Sequence, residues 1–215
     1  MNNAIDFETA VFAGRNVRIL HLDSVDSTNN CIKTVDLSEG PAVIISREQT
    51  EGRGTVGRKF FSPRDRGLYL SVGFQPEFDF EHVMTVTRMT GVALRRVLAR
   101  HCASEPFIKP VNDIYMNGRK VAGILTESTT SGIHRIGAVY VGIGVNCFPS
   151  EFPEEIKDKA GCLITEEEPR SGALEPPRRF IENLAAEVLE EFFGFLGSFD
   201  IPSVLSEYER YAGVL

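Results

Sequence analysis

The segment Gly52-Arg53-Gly54-Thr55-Val56-Gly57-Arg58 interleaves three glycines with two arginines. Glycine lets a backbone come close to a ligand and the arginine fork pairs with phosphate oxygens, so the segment has the chemistry of an anion-binding loop. It matches G-x-G-x-x-G, which in a dinucleotide-binding fold must follow a strand and open a helix. A strand-like run, Ala42 to Ser46, does precede it. On its other side stands Arg58-Lys59-Phe60-Phe61-Ser62-Pro63, whose proline and two aromatics do not open a helix. Nor is it a Walker A loop, because Gly57 is followed by Arg58 and Lys59 instead of Lys and Ser or Thr. The plain alternative is a solvated surface connection.

Two lysines make a second candidate. Lys109-Pro110-Val111-Asn112-Asp113 ends one apolar strand and begins a hairpin, and Lys120 sits just past the hairpin's turn. Lysines on adjacent antiparallel segments can converge on one anion. Singly, Asn112-Asp113 reads as a turn and Lys120 as a solvated hairpin residue. In Val141-Gly142-Ile143-Gly144-Val145-Asn146 the glycines fit either tight sheet packing or the close approach of a ligand. His21, His82, His101 and His134 form no motif and no metal site is expected. Cys31, Cys102, Cys147 and Cys162 lack any CxxC pair, which suits buried reduced thiols.

These groups must be held by a framework of strands and helices. A first strand reads Val17 to Leu22, and Asp26, Ser27 or Thr28 can cap a helix running to about Leu37. Ala42 to Ser46 is a short strand, and the Gly- and Arg-rich connection after it, about twenty residues long, exceeds most connections in compact domains. Leu68 to Phe74 resumes as a strand. Phe80 to His101 carries a helical stripe of Met84, Thr87, Gly91, Leu94 and Leu98. Asn117-Gly118 is a hairpin signal between Ile114–Met116 and Val121–Glu127. A second turn near Ser131-Gly132 leads to Ile136–Val145, so three antiparallel strands are expected. Pro177 opens a helix with Phe180, Ile181, Leu184, Val188, Leu189 and Phe192 on one face. A last helix spans about Ile201 to Tyr211.

The 215 residues suffice for one domain with a real core. The formal charge of −7 disfavours nucleic-acid binding over the whole surface. That charge is unevenly spread. Arg47 to Arg66 holds six basic and three acidic residues, whereas Pro149 to Glu191 holds five basic and twelve acidic ones. A cationic loop therefore sits in an acidic protein. No apolar run approaches the roughly 18 residues of a membrane span and the N-terminus has no signal-peptide pattern, so a cytoplasmic protein is expected.

Taken together and in order, the pieces resemble the biotin protein ligases. The resemblance rests on Asp26-Ser27-Thr28-Asn29, Gln49-Thr50-Glu51-Gly52-Arg53-Gly54 with Gly57-Arg58, Phe61-Ser62-Pro63, Gly67-Leu68-Tyr69-Leu70-Ser71, Lys109 with Asn112-Asp113-Ile114, Lys120 to Glu127, and Gly142 to Asn146. It covers about residues 18 to 210. It implies an α+β fold, a mainly antiparallel mixed sheet flanked by helices, akin to the class II aminoacyl-tRNA synthetase core. The implied activity joins biotin to the α-phosphate of ATP, with Mg²⁺, giving biotinoyl-AMP. Biotin then passes to a lysine of a biotin carboxyl carrier domain, commonly of acetyl-CoA carboxylase. Lipoate or octanoate transfer on the same fold, and non-catalytic binding of biotin or its adenylate, are the alternatives.

Carried over by position, the resemblance implies that Ser27, Thr28, Asn29 and Gln49 hold the biotin head, with Gly52, Gly123, Gly142 and Gly144 as close backbone walls. Arg53 and Arg58 would face phosphate, with Gly54, Thr55 and Phe60 beside the nucleotide. Lys120 would bridge the biotin carboxylate and the α-phosphate. Lys109, Asn112 and Asp113 would complete the phosphate and acceptor side, and Asn146 would lie near the nucleotide. Three departures stand out: Thr55 replaces an arginine of the loop that closes over the adenylate, Phe60 replaces a tryptophan, and Pro110-Val111 replaces Trp-Pro after Lys109. Only about sixteen residues precede the first expected strand, so no DNA-binding domain is expected. The chain stops at Leu215 where most relatives continue into a small β-barrel, so a single catalytic domain over 1–215 is expected. Dimerisation through a sheet edge is compatible with the resemblance and left open by it.

Overall fold

A computed structural model describes residues 7–79, 82–131, 136–165 and 177–213. Eight strands form one sheet: β1 (Glu8–Phe12), β2 (Arg15–Leu22), β3 (Ala42–Ser46), β4 (Gly67–Phe74), β5 (Phe107–Lys109), β6 (Asp113–Met116), β7 (Arg119–Thr130) and β8 (Ile136–Asn146). Their order across the sheet is β1-β2-β3-β4-β8-β7-β6-β5. Of these neighbours only β2 and β3 run parallel; the others are antiparallel. The expected α+β architecture and the antiparallel run β6-β7-β8 are present.

Helices cover both faces. The long α2 (Val83–His101), α3 (Pro177–Ser198) and α4 (Ile201–Tyr211) pack on one face, where Leu68, Leu70, Val72 and Phe74 of β4 meet Met89, Leu94 and Leu98 of α2 and Leu184, Val188 and Phe192 of α3. The short α1 (Thr28–Ile32) lies on the other face. There Ile32 and Leu37 pack with Ala42 and Ile44 of β3 and Tyr140 of β8. Because strand side chains alternate, β3 serves both cores, with Val43 on one side and Ala42 and Ile44 on the other.

Several elements differ from expectation. The first strand is β1, not Val17–Leu22; it joins β2 through Ala13-Gly14, both at positive φ (47° and 75°). Gly14 is a turn residue, but Ala13 before it is not the Asn or Asp that usually marks such a two-residue turn. The helix expected to reach Leu37 ends at Ile32, and Leu37 is instead drawn into the smaller core. On α2, Thr87, Gly91, Leu94 and Leu98 are buried as the stripe predicts, but Met84 in the first turn is half exposed. Phe80 and the Gly132 turn lie outside the described residues. None of the four cysteines forms a disulfide, Cys102 and Cys147 are buried, and burial pushes the Cys147 thiol up to about 12. Among the described residues no helix is long and apolar enough to cross a membrane.

Candidate active site

The site is built on the sheet face that carries α1. Gly123 of β7 pairs directly with Gly144 of β8, and Gly142 of β8 pairs with Ser71 of β4. Three glycines thus clear one patch of sheet. Each clearance is occupied: a Cβ would fall 3.1 Å from Lys120 Nζ at Gly123, 2.4 Å from Asn29 Oδ1 at Gly142, and 2.6 Å from the Phe60 ring at Gly144. The glycines therefore admit three functional side chains laid flat over bare backbone.

Lys120 reaches this patch because of a bulge. Residues an odd number apart face opposite sides of an unbroken strand, so Lys120 and Gly123 should diverge. The pairing of β6 with β7 passes from Ala122 to Lys120 and leaves Val121 unpaired. That extra residue restores Lys120 to the site face while Val121 and Ala122 both stay in the core. The Lys120 ammonium then stands 2.6 Å from Asp113 Oδ1.

The Gly- and Arg-rich connection is ordered as an irregular hairpin. Its arms meet through Gln49 opposite Ser62 and Arg53 opposite Lys59, and a single 3₁₀ turn, Thr55–Gly57, forms the tip. Gly52 is needed for this fold-back, since a Cβ there would lie 2.3 Å from the Phe60 carbonyl.

A chain of polar side chains runs along the opposite wall. The Ser62 hydroxyl accepts from Gln49 Nε2 at 2.9 Å, and Gln49 Oε1 accepts from Thr28 N and Oγ1 at 2.8 and 3.1 Å. Ser71 Oγ lies 2.8 Å from Thr28 Oγ1 and donates to Asn29 Oδ1 at 2.6 Å. Asn29 Nδ2 donates to Glu127 at 2.9 Å. Glu127 also receives Lys33 at 2.8 Å and both terminal nitrogens of Arg53 at 3.1 Å. Burial raises its pKa, but the bonds from Lys33 and Asn29 and the charges of Lys33 and Arg53 outweigh that and hold the carboxyl below its usual range.

Between these walls lies a narrow groove with about 40 Å³ of open space. Of the sequence-predicted residues, Ser27, Thr28, Asn29, Gln49, Arg53, Gly54, Thr55, Phe60, Asn112, Lys120, Gly123, Gly142 and Gly144 line it. Asp113 does not line it and is paired with Lys120. Gly52 and Arg58 do not line it but face a neighbouring groove with Lys59, Phe61 and Pro153. Lys109 lies with its ammonium 4.8 Å from the Tyr115 ring centre, and Asn146 donates to the Gly161 carbonyl at 2.9 Å; neither lines the groove. Residues without a predicted role are Glu127, Lys33, Ser62 and Ser71. Glu127 is detectable by parity, since it shares a strand face with Gly123 and Leu125. Among the described residues no group of three or more His, Cys, Asp or Glu could hold a metal ion.

The arrangement can take a small ligand with a polar head at the Thr28–Gln49 end and neutralise anionic groups near Lys120 and Arg53. The solved structure "Biotin protein ligase from Aquifex aeolicus in complex with biotin and ATP" superposes with a TM-score of 0.70 at 28% identity, over 90% of this chain and 78% of that one. The "Bifunctional ligase/repressor BirA" of Bacillus subtilis is 31% identical over 144 residues, 66% of this chain and 44% of that protein. The "Biotin--[acetyl-CoA-carboxylase] ligase" of Paracoccus denitrificans is 38% identical over 128 residues, 58% of this chain and 52% of that protein. The chain thus spans about half the length of the curated relatives it matches. The "Biotin/lipoate A/B protein ligase family" profile matches residues 22–146, which contain every strand and loop that lines the groove; the chain belongs to that family.

Proposed function

We propose that the protein activates biotin with ATP and transfers it to a lysine of a biotin carboxyl carrier domain. The observation that carries this reading is the glycine floor of Gly123, Gly142 and Gly144, with Lys120 laid across it and Arg53 at its rim. A carboxylate and a polyphosphate repel one another, and the reaction needs cations fixed where the two meet. Lys120 fills that role. One carboxylate oxygen of biotin attacks the α-phosphorus, the bond to the β-phosphate oxygen breaks, and pyrophosphate departs with the electron pair. An acceptor lysine's amine then attacks the acyl carbon, loses a proton, and AMP leaves. Thr28 and Gln49 supply the polar end that orients the biotin head, and Asn112 and Asp113 would serve the nucleotide and acceptor side. Magnesium would offset charge on the ATP phosphates, and Asp113, beside Lys120, is the carboxylate that would face it.

The test is incubation with biotin, MgATP and a carrier domain, read by intact mass, with lipoate in a parallel arm. A carrier that gains the mass of biotin and not of lipoate supports the reading. Adenylate without transfer restricts it to the first half-reaction. Absence of both, with thermal stabilisation by biotin alone, would make the protein a binder.

A further inference from the structure

Glu127 gathers four donors from three parts of the chain: Asn29 within α1, Lys33 just after it, and both terminal nitrogens of Arg53 from the hairpin. Its side chain is only 23% exposed. Arg53 turns the end of its guanidinium to this carboxylate, with one of the two nitrogens also donating to Asn30 Oδ1 at 3.0 Å, and that end-on fork is one that a phosphate would also take. Among the described residues Glu127 is the carboxylate that Arg53 pairs with. Phosphate binding through that end of Arg53 is therefore an exchange of partners.

We infer that Glu127 is a latch. It holds Arg53 away from the phosphate position in the free protein and releases it when the adenylate forms, while Lys33 and Asn29 remain to neutralise the carboxylate. Lys33 makes the exchange reversible, since a half-buried carboxylate stripped of every partner would be costly. Glu127 and Lys33 are positioning residues in this scheme, acting on the ligand through Arg53. The inference rests on the proposed function, because it needs Arg53 to be a phosphate ligand.

The latch makes a signed prediction. Glu127→Gln keeps an acceptor for Asn29 but frees Arg53, so a non-hydrolysable biotinoyl-adenylate analogue should bind about three- to tenfold tighter by calorimetry. Lys33→Met leaves Glu127 with Arg53 as its only cation and should weaken binding by a similar factor. Both effects should vanish in an Arg53→Met background, which a general electrostatic field or a loss of folding would not produce. Weaker binding in Glu127→Gln, or effects that persist without Arg53, would overturn the latch. If Arg53→Met alone leaves the affinity unchanged, the phosphate role of Arg53 fails, a result distinct from failure of the latch. Should Glu127→Gln fold poorly, the Lys33→Met and Arg53→Met pair carries the same test.

Discussion

The Lys120 ammonium and Asp113 Oδ1 stand 2.6 Å apart across the β6–β7 hairpin, and that oxygen is buried with no directional hydrogen bond of its own. The pair aims the lysine across Gly123 toward the groove. Lys120→Ala should lower ATP–pyrophosphate exchange at least about 100-fold, the usual loss when a fixed group that stabilises developing charge is removed. It should also destabilise the fold by about 1–2 kcal/mol by leaving the Asp113 oxygen uncompensated. Adding Asp113→Asn should restore part of the stability but none of the exchange. Near-normal exchange in Lys120→Ala would exclude this lysine from adenylation.

The glycine floor makes a second prediction. At Gly142 a methyl group would sit 2.4 Å from Asn29 Oδ1, displacing the side chain that links Ser71 to Glu127. Overpacking of this kind costs about 1–3 kcal/mol. Gly142→Ala should therefore lose biotin affinity by more than about tenfold in calorimetry, while its melting temperature falls by only a few degrees. Equal affinity for biotin in mutant and wild type would show that the floor is merely tight sheet packing.

How much of this could be read without coordinates depended on whether local pattern or tertiary geometry was decisive. Asn117-Gly118 announces the β6–β7 hairpin because both residues tolerate positive φ, and both adopt it. The helix face of Leu184, Val188 and Phe192 follows from a 3.6-residue period and is buried as expected. The direction of Lys120 could not be read, because it depends on the unpaired Val121, a bulge with no glycine or proline to mark it. Arg58 lies just beyond the hairpin's tip, where the returning arm turns it to the outer side. Lys109 is drawn onto the neighbouring Tyr115 ring, a cross-strand contact that depends on register.

Thr55 lies at the tip of the hairpin and lines the groove, at the position where the resemblance leads one to expect an arginine. A charge-assisted bond to phosphate is worth about 1.5–3 kcal/mol. The protein should accordingly release biotinoyl-AMP faster than relatives with arginine there, and label exposed lysines loosely. Thr55→Arg should slow adenylate dissociation at least about tenfold in stopped-flow measurements. A wild-type rate already as slow as that of arginine-bearing relatives would defeat this prediction.

Acid should act on the site through Glu127. Its carboxyl is held below the ordinary glutamate value of 4.5 in the folded protein. A depressed carboxylate contributes stability that is complete above the unfolded value and disappears as pH falls through the folded one. The melting temperatures of wild type and Glu127→Gln should therefore differ most above about pH 5 and converge below it. A difference that stays constant from about pH 3 to about pH 7 would show that the charge of Glu127 is not what stabilises this corner.

The helix α4 braces the Asn112 side of the groove from a distance, the side assigned to the acceptor in the proposed function. Tyr208 Oη donates to the Val111 carbonyl at 3.1 Å, and Gly213 N donates to the Ile108 carbonyl at 2.9 Å. These bonds hold the β5–β6 connection whose Asn112 donates to the Ile124 carbonyl at 2.8 Å and lines the groove. The Tyr208 hydroxyl reaches a backbone carbonyl and does not line the groove, so its effect on chemistry must pass through the backbone. Tyr208→Phe keeps the buried ring and removes one hydrogen bond, a loss of about 1 kcal/mol. It should lower the rate of transfer to a carrier domain severalfold while leaving the affinity for biotin unchanged, because Thr28 and Gln49 lie across the groove. A parallel loss of biotin affinity would mean that α4 supports the whole groove and not its acceptor side.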